Sequence, residues 1–172
     1  EAFIAPPGSR IVSADYSQVE LRIMAHLSGD RSLIEAFAAG EDIHRHTAAE
    51  VFGVPVAEVN ADQRRTAKVI NFGILYGMGP TRLARDLKIP MDEAREFLDR
   101  YFREFPGVKE FQRQAVEKAR REGYVTTLLG RRRAIPEISS AEPGVRANAE
   151  NMAKNTPVQG TAADLIKVAM VR

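Results

Sequence analysis

The sequence predicts an α+β fold that is mostly helical, with a small antiparallel sheet portion. Three observations carry this. Apolar residues recur at helical spacing through most of the chain. Only two stretches, Arg10–Ala14 and Tyr124–Ile135, have the short apolar or β-branched runs of strands. Proline and glycine stand where one pattern gives way to the next. A chain of 172 residues suits one domain or pieces of two, and buries roughly two-thirds of its unfolded surface.

Taken in order, Ala2–Gly8 reads as a strand end and a turn, and Arg10–Ala14 as a short buried strand with Asp15 at its end. Ser17 to Leu27 alternates at helical period. Asp42 is an N-cap for a helix over Ile43–Phe52. A second helix runs from Asp62 to about Tyr76, where Gly77 and Gly79 stop it. Short helices are expected over Pro80–Leu87 and Asp92–Phe102. Pro106 opens a longer one that ends at Gly123. Tyr124–Leu129, Gly130 and Arg131–Ile135 read as a hairpin. From about Val145 the chain is helical, with an interruption expected at Pro157. The pattern is still helical at Val168–Arg172, and both ends read as cut, so a segment of a larger protein is expected.

Composition excludes several classes. Without cysteine the chain has no disulfide, thiolate metal site or cysteine nucleophile, which fits a reducing compartment. No apolar run reaches the ~20 residues of a membrane helix, and no secretory pattern opens the chain. The net charge is only +2, but it is unevenly spread: residues 1–59 carry net −5, residues 60–88 net +4 and residues 109–133 net +5. Two basic segments fit an anionic ligand at a localised surface. Arginine outnumbers lysine 19 to 6, which suits phosphate but also follows from genome composition.

Three stretches carry chemistry. In Asp15-Tyr16-Ser17-Gln18-Val19-Glu20-Leu21-Arg22, a carboxylate at a strand end suits Mg²⁺, which takes one or two carboxylates plus waters and substrate phosphates. From position alone Asp15 reads rather as a turn or cap residue, and Ser17-x-x-Glu20 matches a capping box. In the second stretch, Arg64, Lys68, Phe72 and Tyr76 follow one another at intervals of four, a slowly winding stripe on one helix face. It is cationic at its start and aromatic at its end over ~18 Å of axis. A nucleoside triphosphate has the same polarity, and a helix N-terminus favours phosphate. The plainer alternative is an amphipathic helix with core aromatics and solvated cations. In the third, Asn155 and Gln159 flank Pro157, where uncharged amides can reach base edges or merely cap. His44 and His46 do not have the i, i+4 spacing of a helical metal pair. Arg131-Arg132-Arg133 is a hairpin edge that could also touch a phosphate backbone.

Together the three stretches resemble the family A DNA polymerases. Asp15 to Arg22 is similar to the family's motif A. Arg64-x-x-x-Lys68-x-x-x-Phe72-Gly73-x-x-x-Gly77 with Tyr76 resembles motif B on the fingers helix. Asn155-Thr-Pro-Val-Gln159-Gly-Thr-Ala-Ala-Asp164 resembles the palm helix segment. The resemblance implies a palm portion at residues 1–40, helical fingers at 41–122 and a return to the palm at 123–172. It implies a monomeric, cytoplasmic, bacterial-type enzyme acting near the nucleoid, whose partners are primer–template DNA and deoxynucleoside triphosphates. Asp15, with the Tyr16 carbonyl, would hold two Mg²⁺ ions. Arg64, Lys68 and His44 would hold the triphosphate, Lys68 also serving catalysis. Gln18 would line the same site, and Phe72 and Tyr76 would pack around the nascent base pair. Glu20 would exclude a ribose 2′-OH. Arg22, Asn155 and Gln159 would place the primer–template.

Three departures from the family pattern stand out. The family's second catalytic carboxylate lies in a His-Asp-Glu hairpin, and no histidine here precedes an aspartate. The thumb is likewise not represented, so the 172 residues alone are expected to be inactive. Asn151 stands where the resemblance leads one to expect arginine. The competing readings are a nucleotide- or DNA-binding module without chemistry, favoured by the missing carboxylate, and a single-subunit RNA polymerase, disfavoured by Glu20.

Overall fold

The computed structural model describes residues 3–171. Eight α-helices and one hairpin make up the described residues: α1 (Val19–Ser28), α2 (Arg31–Ala38), α3 (Ile43–Phe52), α4 (Ala61–Leu75), α5 (Pro80–Leu87), α6 (Met91–Glu104), α7 (Pro106–Glu122), β1 (Tyr124–Thr126), β2 (Arg132–Ala134) and α8 (Pro143–Val171), with 3₁₀ turns at Val56–Glu58 and Pro136–Ser139. The α+β expectation holds. Ala2 and Arg172, named in the strand-end and terminal-helix expectations, lie outside the described residues.

Local chemistry sets most boundaries. Asp42 accepts from the backbone N–H groups of His44 and Arg45 and so starts α3. Asn60 and Gln63 form a reciprocal capping box that starts α4 at Ala61, one residue before the predicted Asp62. Pro80 and Pro106 occupy first-turn positions, where a missing N–H costs nothing. Gly123, at φ 76°, closes α7 and turns the chain into β1. β1 and β2 pair antiparallel, with Tyr124 opposite Ala134.

One apolar core joins the helices. Leu21 and Met24 of α1, Ile43 of α3, Ile70 of α4, Tyr101 of α6 and Val158 of α8 belong to it. Each such side chain contributes roughly 1.5–3 kcal/mol on burial. A second cluster, including Val125, Ile135, Ala149 and Ala153, seats the hairpin between α7 and α8. Asp30, 2% exposed, links two helix starts: it accepts from Leu33 N at the head of α2 (3.2 Å) and from Gly107 N at the head of α7 (2.8 Å). Gln112 Nε2 donates to the carbonyl of Ile74 (2.8 Å), which also accepts from Gly77 N (2.9 Å), and so ties α7 to the end of α4.

Two expectations are corrected. Arg10–Ala14 is not a strand but irregular, exposed backbone, with Val12 87% exposed. A strand needs a ladder partner, and among the described residues the only paired strands are β1 and β2. The helix of the last third is not interrupted at Pro157; α8 runs through it. Pro157 removes one N–H, but it and its neighbours Thr156 and Val158 are buried, and packing against α1 and α7 offsets the ~3 kcal/mol that proline costs a helix interior. α2 was not anticipated, although Asp30 is an ordinary N-cap signal for it.

Candidate functional site

The stripe predicted on α4 exists, and Arg64, Phe72 and Tyr76 each meet a side chain from another part of the chain. Arg64 Nε donates to Asp42 Oδ2 (2.7 Å), so the carboxylate that caps α3 also ties it to α4. Burial alone would raise the Asp42 pKa. The Arg64 hydrogen bond, the Arg45 N–H and the Arg64 charge outweigh it and hold the carboxyl below the usual range. One turn further, the ammonium of exposed Lys68 lies 6.0 Å from the centroid of the Phe72 ring. The His44 ring, from α3, lies 5.9 Å from the same ring. His44 is buried, which lowers its pKa below the ordinary histidine value; Asp42 opposes the shift, and Arg64 and Lys68 reinforce it. The imidazole is therefore neutral near pH 7. Two cations, a neutral imidazole and an aromatic ring thus converge on one face.

At the far end of the stripe, Lys68, Phe72, Gly73, Tyr76, Met78 and Arg82 line an open, mostly apolar groove. Tyr76 closes α4, and its hydroxyl donates to Glu20 Oε2 in the first turn of α1 (3.3 Å). Gly77 follows at φ 71°, and a Cβ there would lie 2.5 Å from Asn151 Oδ1, so the turn needs glycine twice over. Asn151 thus packs its side chain against the end of the α4 segment. One turn along α8, Asn155 Nδ2 donates to Gln159 Oε1 (2.9 Å).

The capping box read at Ser17-x-x-Glu20 does not form. Gln18 is the N-cap of α1, in a left-handed conformation (φ 53°), and no side chain caps that helix. A non-glycine residue there costs about 1–2 kcal/mol. The buried Oε1 of Gln18 and Oδ1 of Asn155 have no hydrogen-bond partner among the described residues. Unsatisfied buried acceptors are expensive, and these two belong to stretches predicted to meet a ligand.

The remaining predicted residues are not brought into this cluster. Asp15 and Tyr16 lie on exposed, irregular backbone, Tyr16 beside Val19 and Leu165. No group of three His, Cys, Asp or Glu side chains with metal-ligand geometry occurs among the described residues. The donors at hand, one water-exposed carboxylate and one backbone carbonyl, are hard oxygens of the kind Mg²⁺ takes. Arg22 folds back onto the carbonyl of Ser17 (3.2 Å) and lies 4.6 Å over the Phe37 ring of α2. Of the arginine run, Arg131 holds Asp164 (2.8 Å) and Arg132 lies over Tyr124 (4.8 Å), which makes the hairpin edge structural at these two positions. His46 bridges Glu41 and Glu104. Sequence reasoning missed Asp42 as the partner of Arg64, and it missed Asn71. The signal for Asn71 was a lone amide on the apolar face of α4 beside Ala67, Ile70 and Ile74.

Comparison with known proteins identifies the family. The model of DNA polymerase family A matches residues 1–172. The chain is 54% identical over 171 residues to the thermostable DNA polymerase I of Thermus aquaticus, covering 99% of this chain and 21% of the relative. It is 50% identical over 173 residues to DNA polymerase I of Mycobacterium bovis, covering 100% and 19%. The fold is similar to that of the polymerase domain of Pol1 from M. smegmatis, solved in complex with DNA primer–template and dNTP. That match has a TM-score of 0.88 at 50% identity, over 91% of this chain and 28% of that one. The chain therefore spans about a fifth of the length of the curated relatives it matches. Matched over its whole length, the chain belongs to the family A DNA polymerases.

Proposed function

We propose that this chain is the palm-and-fingers segment of a template-directed DNA polymerase, with palm at residues 1–40 and 123–172 and fingers at 41–122. The observation that carries the reading is the α3–α4 face. Arg64 and Lys68 lead to Phe72 along one helix, and His44 reaches the same ring from the neighbouring helix. The face offers charge to phosphates at one end and a flat ring and groove to a base at the other. The solved relative binds primer–template and dNTP, which supports the same partners here.

In this reading a primer 3′-OH loses its proton and attacks the α-phosphate in line. A P–O bond forms to the primer, the bond to the β-phosphate bridging oxygen breaks, and pyrophosphate leaves. Arg64 and Lys68 neutralise charge on the triphosphate, and Lys68 stabilises charge as pyrophosphate departs. Phe72 and Tyr76 hold the base pair. Glu20, anchored by the Tyr76 hydroxyl, fills the space a ribose 2′-OH would need. Gln18 lines the same pocket, and Arg22, Asn155 and Gln159 contact the primer–template without reading sequence. Asp15 and the Tyr16 carbonyl would hold Mg²⁺, the second carboxylate coming from outside these residues. Two such ions, when bound, stabilise the attacking and leaving oxygens. No helix of the described residues is long and apolar enough to cross a membrane.

The test is Asp15→Asn in a full-length polymerase carrying this segment. Incorporation should be abolished while duplex affinity is nearly kept, because DNA contacts are spread over many groups. Near-normal turnover in Mg²⁺ would leave Asp15 a turn residue.

A further inference from the structure

Asn71 is a fully buried amide on the core face of α4, 0% exposed. A buried amide is costly unless it is hydrogen-bonded. Its neighbours on α4, Ala67, Ile70 and Ile74, are apolar. Both of its polar atoms are engaged on α3. Thr47 Oγ1, equally buried, donates to Asn71 Oδ1 (3.1 Å) and accepts from Nδ2 (3.0 Å). Asn71 Nδ2 in turn lies 3.1 Å from His44 Nδ1.

We infer that Asn71 is a positioning residue for His44: it holds the imidazole as the Nε2–H tautomer, with that N–H directed to a phosphate oxygen of the incoming nucleotide. The inference rests on the reading of the α3–α4 face as the triphosphate site. The amide nitrogen of Asn71 carries hydrogens and no usable lone pair, so the ring nitrogen facing it must accept. The two hydrogens of Nδ2 face Thr47 Oγ1 and His44 Nδ1, and this pair of contacts fixes the side of the ring that the amide nitrogen meets. With Nδ1 accepting, the single proton of a neutral ring sits on Nε2. Burial keeps the ring neutral, and the charged groups facing it, Asp42, Arg64 and Lys68, do not reverse this. Nε2 itself has no hydrogen-bond partner among the described residues. Phosphate oxygens only accept, so a neutral ring binds them through an N–H alone. The other tautomer would present a lone pair to an anion. Arg64 and Lys68 supply charge in any orientation, whereas His44 is useful only in this protonation pattern.

Long-range ¹H–¹⁵N correlation of the imidazole nitrogens in the ¹⁵N-labelled chain tests the tautomer without any substitution. At neutral pH, His44 should show a protonated Nε2 and an unprotonated Nδ1. The reverse pattern, or averaging between the two, overturns the inference whether or not the face binds triphosphate. The functional arm uses a full-length polymerase carrying this segment, with nucleotide affinity read from the concentration dependence of single-turnover incorporation. Asn71→Asp replaces the donor with an acceptor and forces a proton onto Nδ1. It should weaken dNTP affinity about ten-fold, as should His44→Ala, the loss expected for one hydrogen bond to a charged group. Adding His44→Gln to Asn71→Asp restores an N–H donor that has no tautomer, so affinity should return to within about three-fold of the parent. A purely structural role for Asn71 predicts no such rescue. If the tautomer is locked as described but His44→Ala leaves dNTP affinity unchanged, the triphosphate reading of this face fails, and the positioning role with it.

Discussion

Glu20 can act on the start of α1 through its charge alone or as a partner of Tyr76 at the end of α4, and the two roles separate in a double-mutant cycle. Its carboxylate accepts from the Tyr76 hydroxyl across 56 residues of sequence, at 3.3 Å, with both side chains half-buried. A hydrogen bond to a charged group contributes about 1.5–3 kcal/mol, but this one is long for an O–H donor and partly solvated. We therefore expect a coupling of about 0.5–1 kcal/mol between Glu20→Ala and Tyr76→Phe. No side chain caps α1, so Glu20→Ala should lose, beyond this coupling, only the dipole term of about 0.3–1 kcal/mol. That term is the same with and without Tyr76→Phe and cancels in the cycle. The assay is urea unfolding of the four chains near neutral pH, followed by far-UV circular dichroism with a common m-value. Coupling of zero, with Glu20→Ala equally costly in both backgrounds, would refute the Tyr76 contact and return Glu20 to the helix start. In a full-length polymerase the same contact predicts a second effect. Glu20→Ala should raise ribonucleotide incorporation relative to deoxynucleotide, while Glu20→Gln, which keeps the bulk, should largely preserve discrimination.

Asp30→Ala should lower stability by about 2–4 kcal/mol, because it removes an N-cap and a charge-assisted hydrogen bond to Gly107 N at once; an unfolding free energy from urea titration lowered by less than a quarter of that would place both helix starts in water. Acid should weaken the fold through His44. Its folded pKa is below the ordinary 6.5, so the unfolded chain binds more protons, and stability falls as pH drops through that value. Urea midpoints measured from about pH 8 to pH 5 should show this loss, and His44→Gln should flatten it; an unchanged slope would mean that His44 titrates freely.

How far the sequence could be read depended on whether a feature was local. The boundaries of α3, α5 and α7 were legible because Asp42, Pro80, Pro106 and Gly123 act within one turn of themselves. The stripe from Arg64 to Tyr76 was legible because it is a period on one helix. Its partners were not. Asp42–Arg64, His44–Asn71 and Glu20–Tyr76 join residues 22, 27 and 56 apart, and only packing decides such pairs. Pro157 misled for the same reason: its local rule is overruled by the buried surroundings of α8. At Arg10–Ala14 the apolar pattern of a strand is present, but a strand also requires a neighbour, which its own sequence does not reveal.

The central claim is that the α3–α4 face binds the triphosphate, and the nucleotide dependence of single-turnover incorporation tests it most directly. In a full-length polymerase carrying this segment, Arg64→Ala and Lys68→Ala should each raise the half-saturating dNTP concentration by about 10- to 100-fold, the loss of one charge-assisted contact. Arg113→Ala, on the exposed face of α7 and paired with Glu110 and Glu117, should change it less than about two-fold. If Arg64→Ala and Lys68→Ala behave like Arg113→Ala, the stripe is a solvated helix face and the account is wrong.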